Sequence, residues 1–316
     1  MGKILILLLA LGLTEAAFAK SWSDASKGSL TLKLGFVTPS LNSEFKPDKE
    51  SNDKVVYRPS SPTKFSIGAA YGPFSGSYGT PGVMSDEQKA EQGESKISDW
   101  QFRFFGDVHT FDFFYQKYTG YYIQNYDEVD PSQTAEGIRP DISNEHYGFQ
   151  YFYNFHPDDV SIRAAFDQST VQTKSGGGLL LFGAANYYKT SANSAILPAS
   201  VNSQYGEFAN LKGGVFTSFK AGIGGAYTFV YSNWFASGLF TVGAGPQSQL
   251  YDVGTTEFIK ASKFTTGSNV KVGAGFNSKS FFACIGFFMD MQNIENTNLY
   301  VTNSTIESSI WVGGRF

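Results

Sequence analysis

The residues of this chain best suited to chemistry are its three histidines, because imidazole changes charge near neutral pH. His156 stands in "HPDD" beside Asp158 and Asp159, which can be drawn as an acid–base pair. Pro157 followed by two aspartates between extended segments is, however, the ordinary composition of a tight turn. His146 heads a strand-like segment and His109 lies in the turn "GDVHT"; local spacing places no serine beside either. The run "SGGG" (Ser175 to Gly178) lacks the Lys-Ser/Thr ending of a phosphate loop. No group of residues has metal-ligand spacing. The chain is therefore expected to be no enzyme and to need no cofactor or metal, with an outer-membrane hydrolase as a remote alternative.

A second set of polar residues alternates with apolar ones. "SLTLKLGF" puts Leu30, Leu32, Leu34 and Phe36 on one face and Thr31, Lys33 and Gly35 on the other. "HYGFQYFYNF" sets Tyr147, Phe149, Tyr151, Tyr153 and Phe155 against His146, Gly148, Gln150, Phe152 and Asn154. "VSIRAAFD", "NVKVGAGFN" and "SFFACIGFFMDM" repeat the pattern. A period of two belongs to strands, whose successive side chains point to opposite faces. The face opposite the apolar one carries Lys33, Arg103, Arg163, Lys220, Lys271 and Arg315, with Asp112, Asp167, Asp290 and Glu307, and Gln150 among them. Both signs are present in similar numbers, which suits an internally paired interior better than a pore selective for one charge.

What must position these residues is an all-β structure, since no helical period and no apolar run of membrane-helix length follows the first residues. One-sided strands build either a soluble sandwich with an apolar interior or a membrane barrel with an apolar exterior. The polar face here is rich in glycine and alanine, as in "FKAGIGGAYTFV" with Gly222, Gly224 and Ala226 in line. Such residues suit a crowded lumen. The apolar face is crowded with Tyr and Phe, which favour membrane interfaces. The composition agrees: 34 Gly, 30 Phe and 18 Tyr among 316 residues, with 16% charged residues against about 25% in an ordinary globular protein. The single cysteine, Cys284, excludes an intramolecular disulfide, and a net charge of −4 suggests no nucleic acid.

Both ends of the chain point the same way. "MGKILILLLALGLTEAAFAKS" has Lys3, a short apolar run and Ala17-Phe18-Ala19, the pattern of a signal peptide cut after residue 19. The run is shorter than the roughly 20 residues of a spanning helix. Residues 20–316 would then form one outer-membrane barrel domain. The chain closes on "SSIWVGGRF", where Phe316, Val312 and Ile310 share one strand face. A terminal Phe with alternating apolar residues before it resembles the signal read by the bacterial outer-membrane assembly machinery, though Gly314 departs from the pattern. The expected fold is a transmembrane antiparallel up-and-down β-barrel of about 12 strands, with 14 as the alternative. Candidate strands begin near 30, 64, 74, 98, 110, 146, 160, 178, 216, 234, 269, 281 and 304, an odd number where bacterial barrels are even. Counts from the two ends collide between 160 and 215. Either Leu30–Phe36 lies outside the barrel or another strand hides in 190–215. Long external loops are expected at 39–63, 82–97, 123–144, 190–215 and 250–268, and a periplasmic turn at 277–280.

The colliding region also carries the most distinctive local sequence, "AAFDQSTVQTKSGGGLLLFG". Its Phe166, Gln168, Ser169, Gln172, Lys174, Ser175 and Gly177 resemble, in spacing, a segment of the bacterial family known as domain of unknown function 4421. "YQKYTGYY" (Tyr115 to Tyr122) and "SAILP" (Ser194 to Pro198) resemble two further stretches, so the likeness runs from about Tyr57 to the end. The chain departs from that family at Thr170 and Val171, where an acidic–basic pair is common. The resemblance implies an outer-membrane barrel and no activity. Two functional classes follow. The leading one is a passive channel or transporter for small solutes; the alternative is a non-transporting surface protein acting through its external loops. The expected partners are outer-membrane lipid and, during biogenesis, the assembly machinery.

Overall fold

The computed structural model describes residues 30–80, 82–130 and 137–316; the signal peptide expected at 1–19 lies outside them. Thirteen strands form one antiparallel sheet. They are β1 (Thr31–Lys46), β2 (Val55–Arg58), β3 (Lys64–Tyr71), β4 (Phe74–Gly79), β5 (Lys96–Phe105), β6 (His109–Ile123) and β7 (Ile138–Asn154). After a non-strand segment come β8 (Gly176–Ser191), β9 (Gly213–Tyr231), β10 (Trp234–Asp252), β11 (Ile259–Asn277), β12 (Phe281–Asn296) and β13 (Leu299–Arg315). The ring closes where β1 pairs with β13 from Thr31↔Arg315 to Lys46↔Tyr300. Its last link is made by the terminal residues: Leu30 N–H donates to the Phe316 carbonyl at 3.1 Å and Phe316 N–H to the Leu30 carbonyl at 2.8 Å.

The parity problem resolves through two local features. Both β2 and β3 run antiparallel to β1, one after the other, β2 opposite Ser43–Phe45 and β3 opposite Thr31–Val37. They are one strand interrupted at residues 59–63, where Pro59 and Pro62 have no N–H to give a ladder. Thirteen strands less this one interruption gives twelve around the ring. The other feature is a correction. The segment Val160–Asp167, expected as a strand, contains a short helix α3 (Ile162–Phe166), and neither Leu30–Phe36 nor 190–215 needed reassignment. Ser161 caps the helix by accepting from Ala164 N–H at 3.1 Å. Two further helices, α1 (Asp86–Gln92) and α2 (Tyr126–Val129), lie in connections at the opposite mouth.

With twelve strands, Leu30, Phe316 and the turns 72–73, 106–108, 232–233 and 278–280 fall at one end, which is the periplasmic end of an outer-membrane barrel. Apart from residues 155–175, the long connections fall at the other. They are shorter than the sequence suggested, because β1 runs on to Lys46, β7 begins at Ile138 and β10 reaches Asp252. Strands of 19 residues, such as β9 to β11, exceed the roughly 9–11 needed to cross a bilayer and project beyond it.

The wall is apolar outward. Leu32, Leu34, Phe36, Ile67, Ile223, Phe229, Phe240, Ile285, Ile310 and Val312 are exposed, while Thr31, Lys33, Gln150, Thr241, Lys271 and Asp290 on the opposite face are buried. A soluble fold would reverse this. In hydrocarbon every backbone group must be paired, and a closed ring does that without an edge.

Candidate functional site

The inner face is organised in three layers. At the periplasmic mouth the segment between β7 and β8 folds inward as a plug. Val160 and Ile162 pack with Phe105, Phe152, Leu180, Phe182 and Leu239 of the wall, with Phe166 beside them. Asp167 receives hydrogen bonds from Lys33 Nζ at 2.9 Å and from Ser75 Oγ at 2.5 Å. Arg163 donates to Ser169 at 2.7 Å. Arg315 donates to the carbonyls of Gln168 and Thr170, and Asn277 also donates to the Thr170 carbonyl at 3.2 Å. Gln168 ends the helix with positive φ, 58°. Gln172 stitches the plug to itself, accepting from Ser161 N–H at 2.9 Å and donating to the carbonyls of Asp159 and Lys174. Ser175 ties its end to Val230, and Gly177 already belongs to β8. The residues that carry the family resemblance are therefore those that build the plug.

Asp167 lies in this connection, outside the strands. Burial works to raise its carboxyl, but the Lys33 ammonium and the hydroxyl donors of Ser169 and Ser75 outweigh it and hold the group below the usual carboxylate range. The Lys33 ammonium also sits 5.2 Å from the centre of the Trp311 ring.

The middle layer is a polar network. Asp112 binds Lys271 at 3.2 Å and Arg103 at 3.3 Å. Gln150 donates to Asp290 at 2.7 Å and accepts from Asn269 at 2.9 Å. Gln292 joins Asp290 to His146. Lys220 is buried here, and Gln101 donates to Glu307 at 3.3 Å. Lys33, Asp112, Gln150, Lys220, Lys271 and Asp290 are buried on strands, and Arg163 and Asp167 are buried on the plug and not on a strand. Sequence reasoning missed Lys64, Asp99 and Gln101, which line a cavity of about 100 Å³ with Arg103, Glu307 and Ser77. Asp99 was legible as an alternating inward position of β5, whose apolar face carries Trp100 and Phe102.

The external mouth is closed by an apolar plug. Residues 192–212 fold inward, placing Ile196, Leu197, Tyr205, Phe208 and Leu211 against Leu41, Phe45, Tyr57, Tyr188, Phe216 and Tyr251. The Tyr57 hydroxyl donates to the Ile196 carbonyl, and Arg139 donates to the Ala195 carbonyl at 2.9 Å. "SAILP" is thus the heart of the second plug.

Each histidine contacts a neighbouring group. His109 contacts the Tyr151 hydroxyl at 2.9 Å, His146 the Asn186 side chain at 3.3 Å, and His156 accepts from Leu179 N–H at 3.3 Å.

A closed antiparallel ring with lipid-compatible exterior, polar interior and plugged mouths defines a bacterial outer-membrane β-barrel protein. Its sequence matches the family model described as "Domain of unknown function (DUF4421)" over residues 21–316, and the chain belongs to that family. No curated protein matches the sequence. Among solved structures, the chain is similar to the outer membrane protease OmpT of Escherichia coli, with 9% identity, 91% of this chain and 97% of that chain covered, and a TM-score of 0.41. It is also similar to the toluene transporter TodX of P. putida, at 9% identity over 91% of this chain and 90% of that one, with a TM-score of 0.27. A third is Ail, the attachment invasion locus protein of Yersinia pestis, at 10% identity over 92% and 99%, with a TM-score of 0.25. At such identities no activity passes from these proteins to this chain.

Proposed function

We propose that this protein is a non-enzymatic outer-membrane barrel whose resting state is sealed against aqueous diffusion, and that it acts through binding at its external face and wall. The observation that carries this reading is the filling of both mouths, by residues 155–175 at one end and 192–212 at the other. It favours the non-transporting alternative over the passive channel. The engagement of all three histidines in wall and turn contacts supports the absence of catalysis. A gated solute channel is the second reading, favoured by the polar middle layer around Gln150, His146 and Asp290, which a fully structural core has no need of. Recognition of Phe316 by the assembly machinery belongs to the same proposal. A liposome-swelling assay with small sugars and amino acids tests the sealed state. No swelling above protein-free vesicles is expected; swelling comparable to an open porin overturns it.

A further inference from the structure

The wall has a defect. β4 and β5 pair only from Phe74↔Phe104 to Ser77↔Gln101. Both strands continue beyond, to Gly79 and from Lys96, without a ladder between them. By contrast β10 and β11 pair along their whole length, from Trp234↔Phe276 to Tyr251↔Ile259. On the other side of this seam, β1 loses its partner between Val37↔Lys64 and Ser43↔Tyr57, at the proline-interrupted segment. Unladdered backbone at membrane depth is tolerated where it lines a polar cavity. Here it does: the cavity of about 100 Å³ lies directly behind, lined by Lys64, Ser66, Ser77, Gly79, Asp99 and Glu307. Ser77 is exposed although its position alternates inward, so the cavity is reached by solvent at the seam.

The height of the seam identifies what meets it. Its lips are Tyr78 and Trp100, 60% and 57% exposed, with ring centroids 6.0 Å apart. Trp100 pairs in register with Tyr115, Tyr115 with Tyr147, and Tyr147 with Tyr187. Two residue pairs higher, on the same face, lie Lys117, Glu145 and Lys189. This succession, aromatic girdle and then charge, marks the external membrane interface. The seam therefore opens at the headgroups of the outer leaflet.

We propose that the β4–β5 seam is a lateral portal that seats the headgroup of a zwitterionic membrane lipid, an ammonium joined to a phosphate, in the cavity behind it. Lys33 and Lys271 are already paired with Asp167 and Asp112. Arg103, which also lines the cavity, is paired with Asp112. That leaves Lys64, which makes no ion pair among the described residues, on the same lining as Asp99 and Glu307, whose carboxylates accept from the neutral donors Gln116 and Tyr118 and from Gln101. Lys64 holds the phosphate, the carboxylates hold the ammonium, and the acyl chains stay in the bilayer against Tyr78 and Trp100. The space equals that of about seven to ten waters, enough for a headgroup and too small for a whole lipid.

The test is native mass spectrometry of the purified barrel with added phosphatidylethanolamine or phosphatidylglycerol. A seam-lock variant, Tyr78→Cys with Trp100→Cys in a Cys284→Ser background, and Lys64→Ala accompany the natural chain. Folding of each is checked by the heat-dependent shift in gel mobility. Phosphatidylethanolamine is expected to be retained at least tenfold better than phosphatidylglycerol. Oxidising the seam-lock pair should abolish retention and reducing it should restore it, while Lys64→Ala should weaken it about tenfold. Equal retention of both lipids, or undiminished retention by the oxidised variant, overturns the proposal. So does displacement by glycerophosphoethanolamine, which has the headgroup without chains and would make the ligand a soluble one. None of these outcomes bears on whether the barrel conducts.

Discussion

Lys33 and Asp167 hold the periplasmic plug to the wall across 134 positions of sequence, and both are almost fully buried. Removing one partner of such a pair strands the other charge and costs about 3–5 kcal/mol. Lys33→Met is therefore expected to loosen the plug, seen as protease cleavage within 156–175 in a barrel that keeps its heat-shifted mobility. Protection equal to the natural chain would show that the pair does not hold the plug. The same contact gives a pH dependence. Because the folded carboxyl of Asp167 lies below its unfolded value, its contribution is complete above the ordinary range near ~4 and fades as pH falls through the folded value. Plug cleavage by an acid-active protease should rise at about pH 3 relative to pH 5. At the membrane face, Phe149 is 39% exposed and its neighbour Gln150 is 2% exposed. Arginine on the lipid face costs about 2–4 kcal/mol near the midplane, whereas the lumen already solvates charge. Phe149→Arg should lower the folded yield well below that of Gln150→Arg, and the reverse order would mean that the apolar face does not meet lipid.

Strands were the legible elements. Alternation placed twelve of them, because a period of two leaves no freedom about which face a neighbour occupies. The failure at 160–166 has a physical cause. Val160, Ile162, Ala164 and Phe166 alternate as a strand would and do not share one helical face, because residues two apart lie on opposite sides of a helix. The helix forms inside the lumen, where Ile162 to Ala165 are buried all round, and is set by the Ser161 cap and by contact with β10 and β11. The plugs and the β4–β5 seam were illegible for another reason: they depend on which distant segments share a register or a lumen, which local spacing does not encode. The family-like stretches marked both plugs without revealing their role. At the C-terminus, Phe316 closes the ring through its backbone while its ring is 77% exposed. Phe316→Asp keeps those hydrogen bonds, so it separates the side chain's role from the strand's. Reduced levels in the outer membrane are expected in cells, with refolding in detergent unimpaired; normal levels would remove the assembly reading.

At the scale of the molecule, the proposal is that a barrel wide enough for a pore is sealed in this state. Barrel diameter grows with strand number, and about 8 strands are already filled by side chains alone. Twelve leave space, and this chain fills it with two folded-in connections and a hydrogen-bonded middle layer. On the proposed reading loops seal the two mouths while wall side chains narrow the middle, and the seal at each mouth is removable. Deleting residues 158–172 should leave the ring intact, because β7 and β8 pair on their own from Ser143↔Ser191 to Asn154↔Leu180. The external plug would still close the other mouth, so deletion of both segments is needed for a continuous path. Single-channel recording in a planar bilayer tests this most directly. The natural protein is predicted to insert without stepwise conductance, and the doubly deleted barrel to conduct. Steady open-channel steps from the natural protein would contradict the account.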